Sequence, residues 1–276
     1  MGSEYPAWVN GTATESLSVK DRAIAYGDGV FETIRVSGGF LLDLHWQRLK
    51  LGLDTLSIPQ DISTVKKQFY SYLSEYQAGL IKVIVTQGAG GRGYQTPSDP
   101  FPSIIIQGFD LPSYPGDYYT AGVSLYVCQT PVTVNPVFRG IKHLNRLEQV
   151  RARNEFDSVF AEGLMSNLKG ELVEGTMSNL FYSYGGRLLT PSLDELAVGG
   201  TMRRYLMESC RDIVAIEEGS PRLDQLLLAD EVFVCNSVFG IWPVRAIMTN
   251  TLNLSKLDTA TSVTRLLQQK VMPQFS

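Results

Sequence analysis

Histidine and cysteine are scarce in this chain of 276 residues, with two of the first and three of the second. Zinc sites draw on clusters of these residues, so the shortage argues against a zinc protein. Cys128, Cys210 and Cys235 are far apart, contain no C-x-x-C pair and sit in apolar or helix-like surroundings, which reads as buried reduced thiols. An excess of positive charge is also missing. The 24 basic residues are outnumbered by 28 acidic ones, and no run of Lys and Arg is interleaved with aromatics, so nothing offers a field for nucleic acid. No segment sustains the roughly 18 apolar residues of a membrane span, and residues 1–18 lack a basic start, an apolar core and a cleavage site. The cytoplasm is the expected compartment. Repeats and low-complexity segments are absent, and an apolar share of 44% can fill one large core or two modest ones.

The start of the chain reads as a hairpin. Ala7-Trp8-Val9 precedes an Asn10-Gly11 pair, a type I′ signal, and the partner strand is expected around 17–19. The Gly27-Asp28-Gly29 turn then leads into alternating residues from Val30 to Val36, a strand with two unlike faces. A helix is expected over 43–56 with Asp43 as N-cap, Leu49, Leu53 and Leu56 on one face, and His45 and Arg48 sharing a neighbouring one. Another is expected over 63–76, followed by strands at 81–86 and 103–109. Between these strands lies Gln87-Gly88-Ala89-Gly90-Gly91-Arg92-Gly93-Tyr94, which lacks Walker residues and precedes no helix, so a nucleotide loop fails its own context test.

Pro112 and Pro115 mark a linker within 108–116. The expected division is a small α/β domain over 1–110, a linker over 111–120 and a larger domain over 121–276. In the larger part, Lys142 follows a Gly-ended loop and precedes a segment in which Leu144, Leu147 and Val150 recur at helical spacing, so a helix to about 154 is expected. A strand is expected before it at 123–129, and strands follow at 158–166, 171–174, 179–184 and 187–190. Glycines at 199 and 200 open a helix to about 211, Ser220 caps a short one to 228, a buried strand covers 229–237, and an amphipathic helix with Val263, Leu266, Leu267 and Val271 ends the chain.

The run Ile141-Lys142-His143-Leu144-Asn145-Arg146-Leu147-Glu148-Gln149-Val150 resembles the Schiff-base lysine segment of the fold-type IV pyridoxal-phosphate enzymes. That family holds branched-chain and D-amino-acid aminotransferases and aminodeoxychorismate lyase, and the K-H-L-N-R-L-E-Q wording is most similar to the lyase. Further matches run from about Ser18 to Val244, among them Y-G-D-G-V-F-E-T-I-R-V, H-W-Q-R-L, G-G-R-G-Y and E-G-T-M-S-N-L-F. The resemblance implies a two-domain, α+β or α/β, D-amino-acid-aminotransferase-like architecture with pyridoxal 5'-phosphate as cofactor. It implies Lys142 as the catalytic amine, Glu174 beside the pyridine nitrogen, and Arg48 at the phosphate. Gly200, Thr201 and Met202 would supply helix-start amides to that phosphate, joined by Asn236 and Ser237; the family's usual threonine is here Met202, so only backbone carries over at that position. Arg92 and Thr33 are the implied substrate contacts. A lyase forming 4-aminobenzoate and pyruvate from 4-amino-4-deoxychorismate is the expected activity, in a homodimer. The alternatives are an aminotransferase on the same scaffold and a non-catalytic binding protein, against which Lys142 and Glu174 both argue.

Overall fold

The computed structural model describes residues 5–37, 39–249, 253–256 and 262–275. The chain divides into two compact units, Met1–Pro112 with Ile141–Asn145, and Ser113–Gly140 with Arg146–Ser276.

In the first unit a two-strand ribbon, β1 (Trp8–Val9) and β2 (Thr12–Ala13), opens the chain. Asn10 and Gly11 both take positive φ, 51° and 80°, the backbone of a type I′ turn. A two-residue turn pairs the residues that flank it, so Val9 faces Thr12 and Trp8 faces Ala13. The partner strand expected at 17–19 is therefore misplaced, and Val19 is exposed. A short helix that the sequence reading missed, α1 (Arg22–Tyr26), is capped by Asp21, whose carboxylate accepts from the Ala23 amide, and stops at the left-handed Gly27. The strand β3 (Gly29–Arg35), two helices α2 (Leu42–Thr55) and α3 (Ile62–Glu75), and two strands β4 (Leu80–Thr86) and β5 (Ser103–Phe109) complete the unit. The helix α2 starts one residue earlier than expected, leaving Asp43 in its first turn with Leu41 as N-cap.

The strands order as β2-β1-β5-β4-β3, all antiparallel. One face of this sheet, Val30 and Ile34 with Ile81, Val83, Val85, Ile104 and Ile106, packs into one core with Trp46, Leu49, Leu53, Val65, Phe69 and Tyr72. Each such side chain contributes about 1.5–3 kcal/mol of transfer free energy on burial. Gly52 lets α2 come close to the sheet: a Cβ there would lie 2.8 Å from Val30 Cγ1. A glycine inside a helix costs about 1 kcal/mol, and the close packing offsets it.

The second unit begins with α4 (Asp117–Thr120), inside the stretch expected to be linker, and β6 (Val123–Val127). After it the lysine-bearing run crosses into the first unit. This corrects the expected assignment of Lys142 to the larger domain, and the reason is backbone pairing: the Phe31 N–H donates to the Lys142 carbonyl at 2.9 Å, and the Leu144 N–H to the Gly29 carbonyl at 3.0 Å. Extended pairing also means that Leu144 is not helical. The helix α5 spans only Leu147–Arg153, with Gln149 and Ala152 buried and both Leu147 and Val150 exposed, so the apolar stripe inferred from spacing is not its inward face.

Next come β7 (Glu162–Ser166), β8 (Leu172–Gly175), β9 (Asn179–Tyr184), β10 (Arg187–Thr190), α6 (Thr201–Ser209), β11 (Ile216–Glu218), α7 (Leu223–Leu227), β12 (Glu231–Asn236), β13 (Gly240–Met248), β14 (Asn253–Lys256) and α8 (Ser262–Val271). The strand expected from 158 begins only at Glu162, because the Phe160 and Val159 amides close a turn on Asp157. The helix α7 starts after Ser220, its N-cap Arg222 donating its amide to Gln225 Oε1. The strand path is β11-β10-β9-β12-β13-β6-β7-β8, and the pair Glu174 with Asn179 joins β8 back to β9. Six strands thus close into a ring. Leu125, Leu164, Leu180, Val234 and Trp242 belong to one of its cores. All three cysteines are buried free thiols, and burial pushes Cys128 up to about 12. Among the described residues no helix is long and apolar enough to cross a membrane.

Candidate active site

In the first unit the sheet alternation separates two environments on one strand. Val30, Glu32 and Ile34 are buried, while Phe31, Thr33 and Arg35 are half-buried on the other face. Lys142 belongs to that second environment: its ammonium lies 4.6 Å from the centroid of the Phe31 ring, within cation–π range. Lys82 approaches the same ring at 5.3 Å. Gly29 is what lets the lysine segment lie against β3, since a Cβ there would meet Val85 O at 2.7 Å and Leu144 Cδ1 at 2.8 Å.

Arg48 lies on the other side of β3. Its Nε and Nη2 donate to the two oxygens of Glu32 at 2.7 and 2.5 Å, and His45 Nδ1 lies 2.7 Å from Glu32 Oε2. Glu32, which the sequence reading did not single out, is thus the partner of both residues on the α2 face that it did. The signal was present: alternation placed a carboxylate between two core aliphatics, where only a paired charge is tolerated. Burial raises the Glu32 pKa, but the charges of Arg48 and His45 and their hydrogen bonds outweigh it and bring the carboxyl down to about 2. Burial pushes His45 toward its neutral form against the pull of Glu32, with Arg48 and Lys142 adding to the push. At neutral pH Arg48 is therefore the charge partner and His45 a hydrogen-bond partner.

Arg92 sits exposed in the loop between β4 and β5. Thr33 is half-buried on β3, opposite Lys82 in the strand register.

In the second unit Glu174 is buried on β8, and its Oε2 accepts from the Val198 amide at 3.1 Å. The side-chain amide of Asn179, across the ring-closing pair, donates to the Val198 carbonyl at 3.0 Å. These bonds bring the 197–200 stretch beside Glu174. Gly200 is then the N-cap of α6 with no side-chain capping bond, and a Cβ on it would lie 1.8 Å from Asn179 Oδ1. Only glycine fits. Thr201 and Met202 begin the helix, and the Met202 side chain is fully buried in the core, so only the backbone at that position is placed to meet a ligand. At the end of β12, Asn236 donates to the Met177 carbonyl at 3.1 Å and accepts from the Val238 and Phe239 amides at 2.9 Å each, so its side chain builds the turn that carries Ser237.

A second carboxylate missed in the sequence organises this unit. Glu162 is fully buried and accepts from the Gly163, Thr176 and Met177 amides and the Thr176 and Ser178 hydroxyls at 2.5–3.1 Å. It thereby fixes the turn between Glu174 and Asn179. Nothing in the local sequence marks it, since its five donors come mostly from 14 to 16 residues away.

The candidate residues thus fall into two sets. Lys142, Arg48, Thr33 and Arg92 belong to the first unit, and Glu174, Gly200, Thr201, Met202, Asn236 and Ser237 to the second. The chemistry of the donors fits a pyridine aldehyde phosphate: a primary amine against an aromatic ring, a buried carboxylate suited to a ring nitrogen, and a helix start whose glycine cap leaves its amides unobstructed by a side chain. No group of three or more His, Cys, Asp or Glu that could hold a metal occurs among the described residues.

The Glu32 carboxyl generates an acid-stability expectation. The folded state keeps it ionised to lower pH than the unfolded chain does, so its contribution is complete above about pH 4.5 and disappears as pH falls through about 2. Urea denaturation across this window should show a shallower loss of stability in Glu32→Gln than in the parent chain. Equal slopes would contradict the assignment.

Residues 29–247 match the model of the family described as amino-transferase class IV. The aminodeoxychorismate lyase of Vibrio harveyi is 36% identical over 247 residues, 87% of this chain and 90% of that protein. Among solved structures, 4-amino-4-deoxychorismate lyase from Pseudomonas aeruginosa superposes with a TM-score of 0.89 at 41% identity, covering 96% of this chain and 97% of the other. The branched-chain amino acid aminotransferase of Escherichia coli shares the fold, with a TM-score of 0.82 at 24% identity over 96% and 92% of the two chains. The family model spans most of the chain, and the protein belongs to the class IV aminotransferases, the fold-type IV enzymes that use pyridoxal phosphate.

Proposed function

We propose that this protein is a pyridoxal-phosphate-dependent lyase that converts 4-amino-4-deoxychorismate to 4-aminobenzoate and pyruvate, a step of folate synthesis. One observation carries the choice within the family: the Vibrio harveyi and Pseudomonas aeruginosa lyases are 36% and 41% identical to this chain over most of both lengths, whereas a putative branched-chain aminotransferase relative reaches 29% and the Escherichia coli enzyme 24%. The lysine segment, K-H-L-N-R-L-E-Q, points the same way.

Bound pyridoxal phosphate supplies an electron-withdrawing ring that accepts the electron pair of a C–H bond broken beside nitrogen. The Lys142 amine would hold the cofactor, and the same amine would remove the proton from the substrate carbon bearing nitrogen. Loss of that proton, and of the enolpyruvyl ether from the neighbouring carbon, would leave the substrate's own ring aromatic and give 4-aminobenzoate and pyruvate. Glu174, buried and fixed by the Val198 amide, keeps the pyridine nitrogen protonated. Arg48 and the helix-start amides of Thr201 and Met202, with Gly200 as the cap and the Asn236-Ser237 turn, hold the phosphate. Glu32 takes the Nε–Nη2 edge of the Arg48 guanidinium and fixes its orientation on α2. Arg92 and Thr33 take the substrate, whose two carboxylates call for a cation. No role in proton transfer is required of His45 or His143.

The working form is a cytoplasmic homodimer. In support of self-association, Leu147 and Val150, three residues apart on α5, are 80% and 55% exposed. Light scattering should give twice the chain mass, and a single-chain mass would contradict the dimer.

The activity is tested by supplying the purified, cofactor-loaded protein with chorismate, glutamine and an aminodeoxychorismate synthase. The expected result is 4-aminobenzoate and pyruvate in equal amounts, with the rate reduced by at least about a thousandfold in Lys142→Ala, the scale of losing a positioned acid–base group. Conversion of amino acids to keto acids without 4-aminobenzoate would make the chain an aminotransferase.

A further inference from the structure

The loop that carries Arg92 is glycine-rich, which by sequence reads as a loose hairpin tip. Its surroundings are not loose. Arg22, only 5% exposed at the start of α1, spreads its guanidinium beneath the loop: Nη1 donates to the Gly93 and Gln95 carbonyls at 3.1 and 3.3 Å, and Nη2 to the Tyr94 carbonyl at 2.9 Å. Its remaining edge, Nε, donates to Asp28 at 2.7 Å. Three consecutive carbonyls are therefore gathered by one buried cation. The Arg22 guanidinium lies 4.9 Å from the Tyr26 ring centroid, and the Tyr26 hydroxyl accepts from the Gly93 amide at 3.2 Å.

The base of the loop is fastened separately. The Arg22 amide donates to the Gly88 carbonyl and the Gly90 amide to the Lys20 carbonyl, at 2.9 and 3.0 Å. Asp21, 1% exposed, accepts from the Thr86 and Ser103 hydroxyls at 2.9 and 2.8 Å, which ties α1 to the two strands the loop connects. Two glycines are required by this packing. A Cβ on Gly88 would lie 1.8 Å from the Phe101 carbonyl oxygen, and one on Gly90 would lie 2.9 Å from Arg22 Cδ. At Gly91 and Gly93, by contrast, a Cβ would meet nothing within 4 Å. The residue between them, Arg92, is exposed on a backbone held from below.

We infer that Arg22 is a positioning residue for substrate binding: it fixes the 88–95 loop so that Arg92 is presented in one place to a substrate carboxylate. The inference rests on the reading of Arg92 as a substrate contact. A lysine at position 22 could keep the charge pair with Asp28 but not the planar set of donors that reaches three carbonyls. A loop released in this way costs binding through misplacement and leaves the chemistry at Lys142 intact.

The test compares Arg22→Lys, Arg92→Ala and their double variant as cofactor-loaded enzymes, with Tyr26→Leu as a second way of loosening the loop while Arg22 stays. Arg22→Lys should raise KM for aminodeoxychorismate by about tenfold to a hundredfold, with kcat changed less than about twofold and cofactor affinity unchanged, and Tyr26→Leu should act in the same direction. Trypsin should cut after Arg92 faster in both. The double variant should be no worse than Arg92→Ala, because two residues serving one contact are not additive. An unchanged KM and cleavage rate in Arg22→Lys and Tyr26→Leu, while Arg92→Ala raises KM, would overturn the role of Arg22 alone. Full additivity in the double variant would do the same. An unchanged KM in Arg92→Ala would overturn the reading of Arg92 and this inference with it.

Discussion

Two backbone hydrogen bonds decide where the reactive amine goes. The Phe31 N–H to the Lys142 carbonyl and the Leu144 N–H to the Gly29 carbonyl lay the lysine segment against β3 as a short extended stretch. Net, such bonds are worth only about 1 kcal/mol each, but they set a register, and register sets which way each side chain faces. With Lys142 beside Phe31 on one face of β3, the other face is left to Glu32, Arg48 and His45. One strand thereby carries an amine environment on one side and an ion-paired, buried cluster on the other.

Buried carboxylates recur as the means of holding irregular backbone. Asp21 collects two hydroxyls and an amide at the start of α1, Glu32 collects Arg48 and His45, and Glu162 collects the turn after Glu174. Glu231 caps the start of α8 through the Thr264 amide and hydroxyl at 2.9 and 2.6 Å. An ionised group taken out of water is tolerated only when its lone pairs are satisfied. Each such residue therefore freezes the donors around it: Glu32 does so at Arg48, and Glu162 in the turn that follows Glu174.

How much of this could be read from the sequence depends on the range of the interaction. Runs of strand-forming residues and the turns beside them located β5, β9 and β10 with the bounds expected, and the Asn10-Gly11 turn was identified correctly although its partner strand was placed too far along. These features are set by neighbours in the chain. The lysine segment misled because Leu144, Leu147 and Val150 have helical spacing, whereas the first of them pairs with a strand more than a hundred residues away. Arg22 and Glu162 left no local trace at all: a lone arginine and a lone glutamate acquire meaning only from carbonyls and amides that folding brings to them. Lys142, Arg48 and Glu174 were singled out because family wording marks them, and Gly200 is the cap of α6, a place where glycine before a helix is recognisable.

The account stands on one covalent attachment, that of the cofactor's aldehyde carbon to the amine of Lys142. Borohydride reduction of the cofactor-loaded protein makes that bond permanent, and peptide mapping by mass spectrometry then locates it. The expected result is a single phosphopyridoxyl group on the peptide containing Lys142. A label on Lys82 or any other lysine, or no label on protein that has taken up the cofactor, would contradict the account.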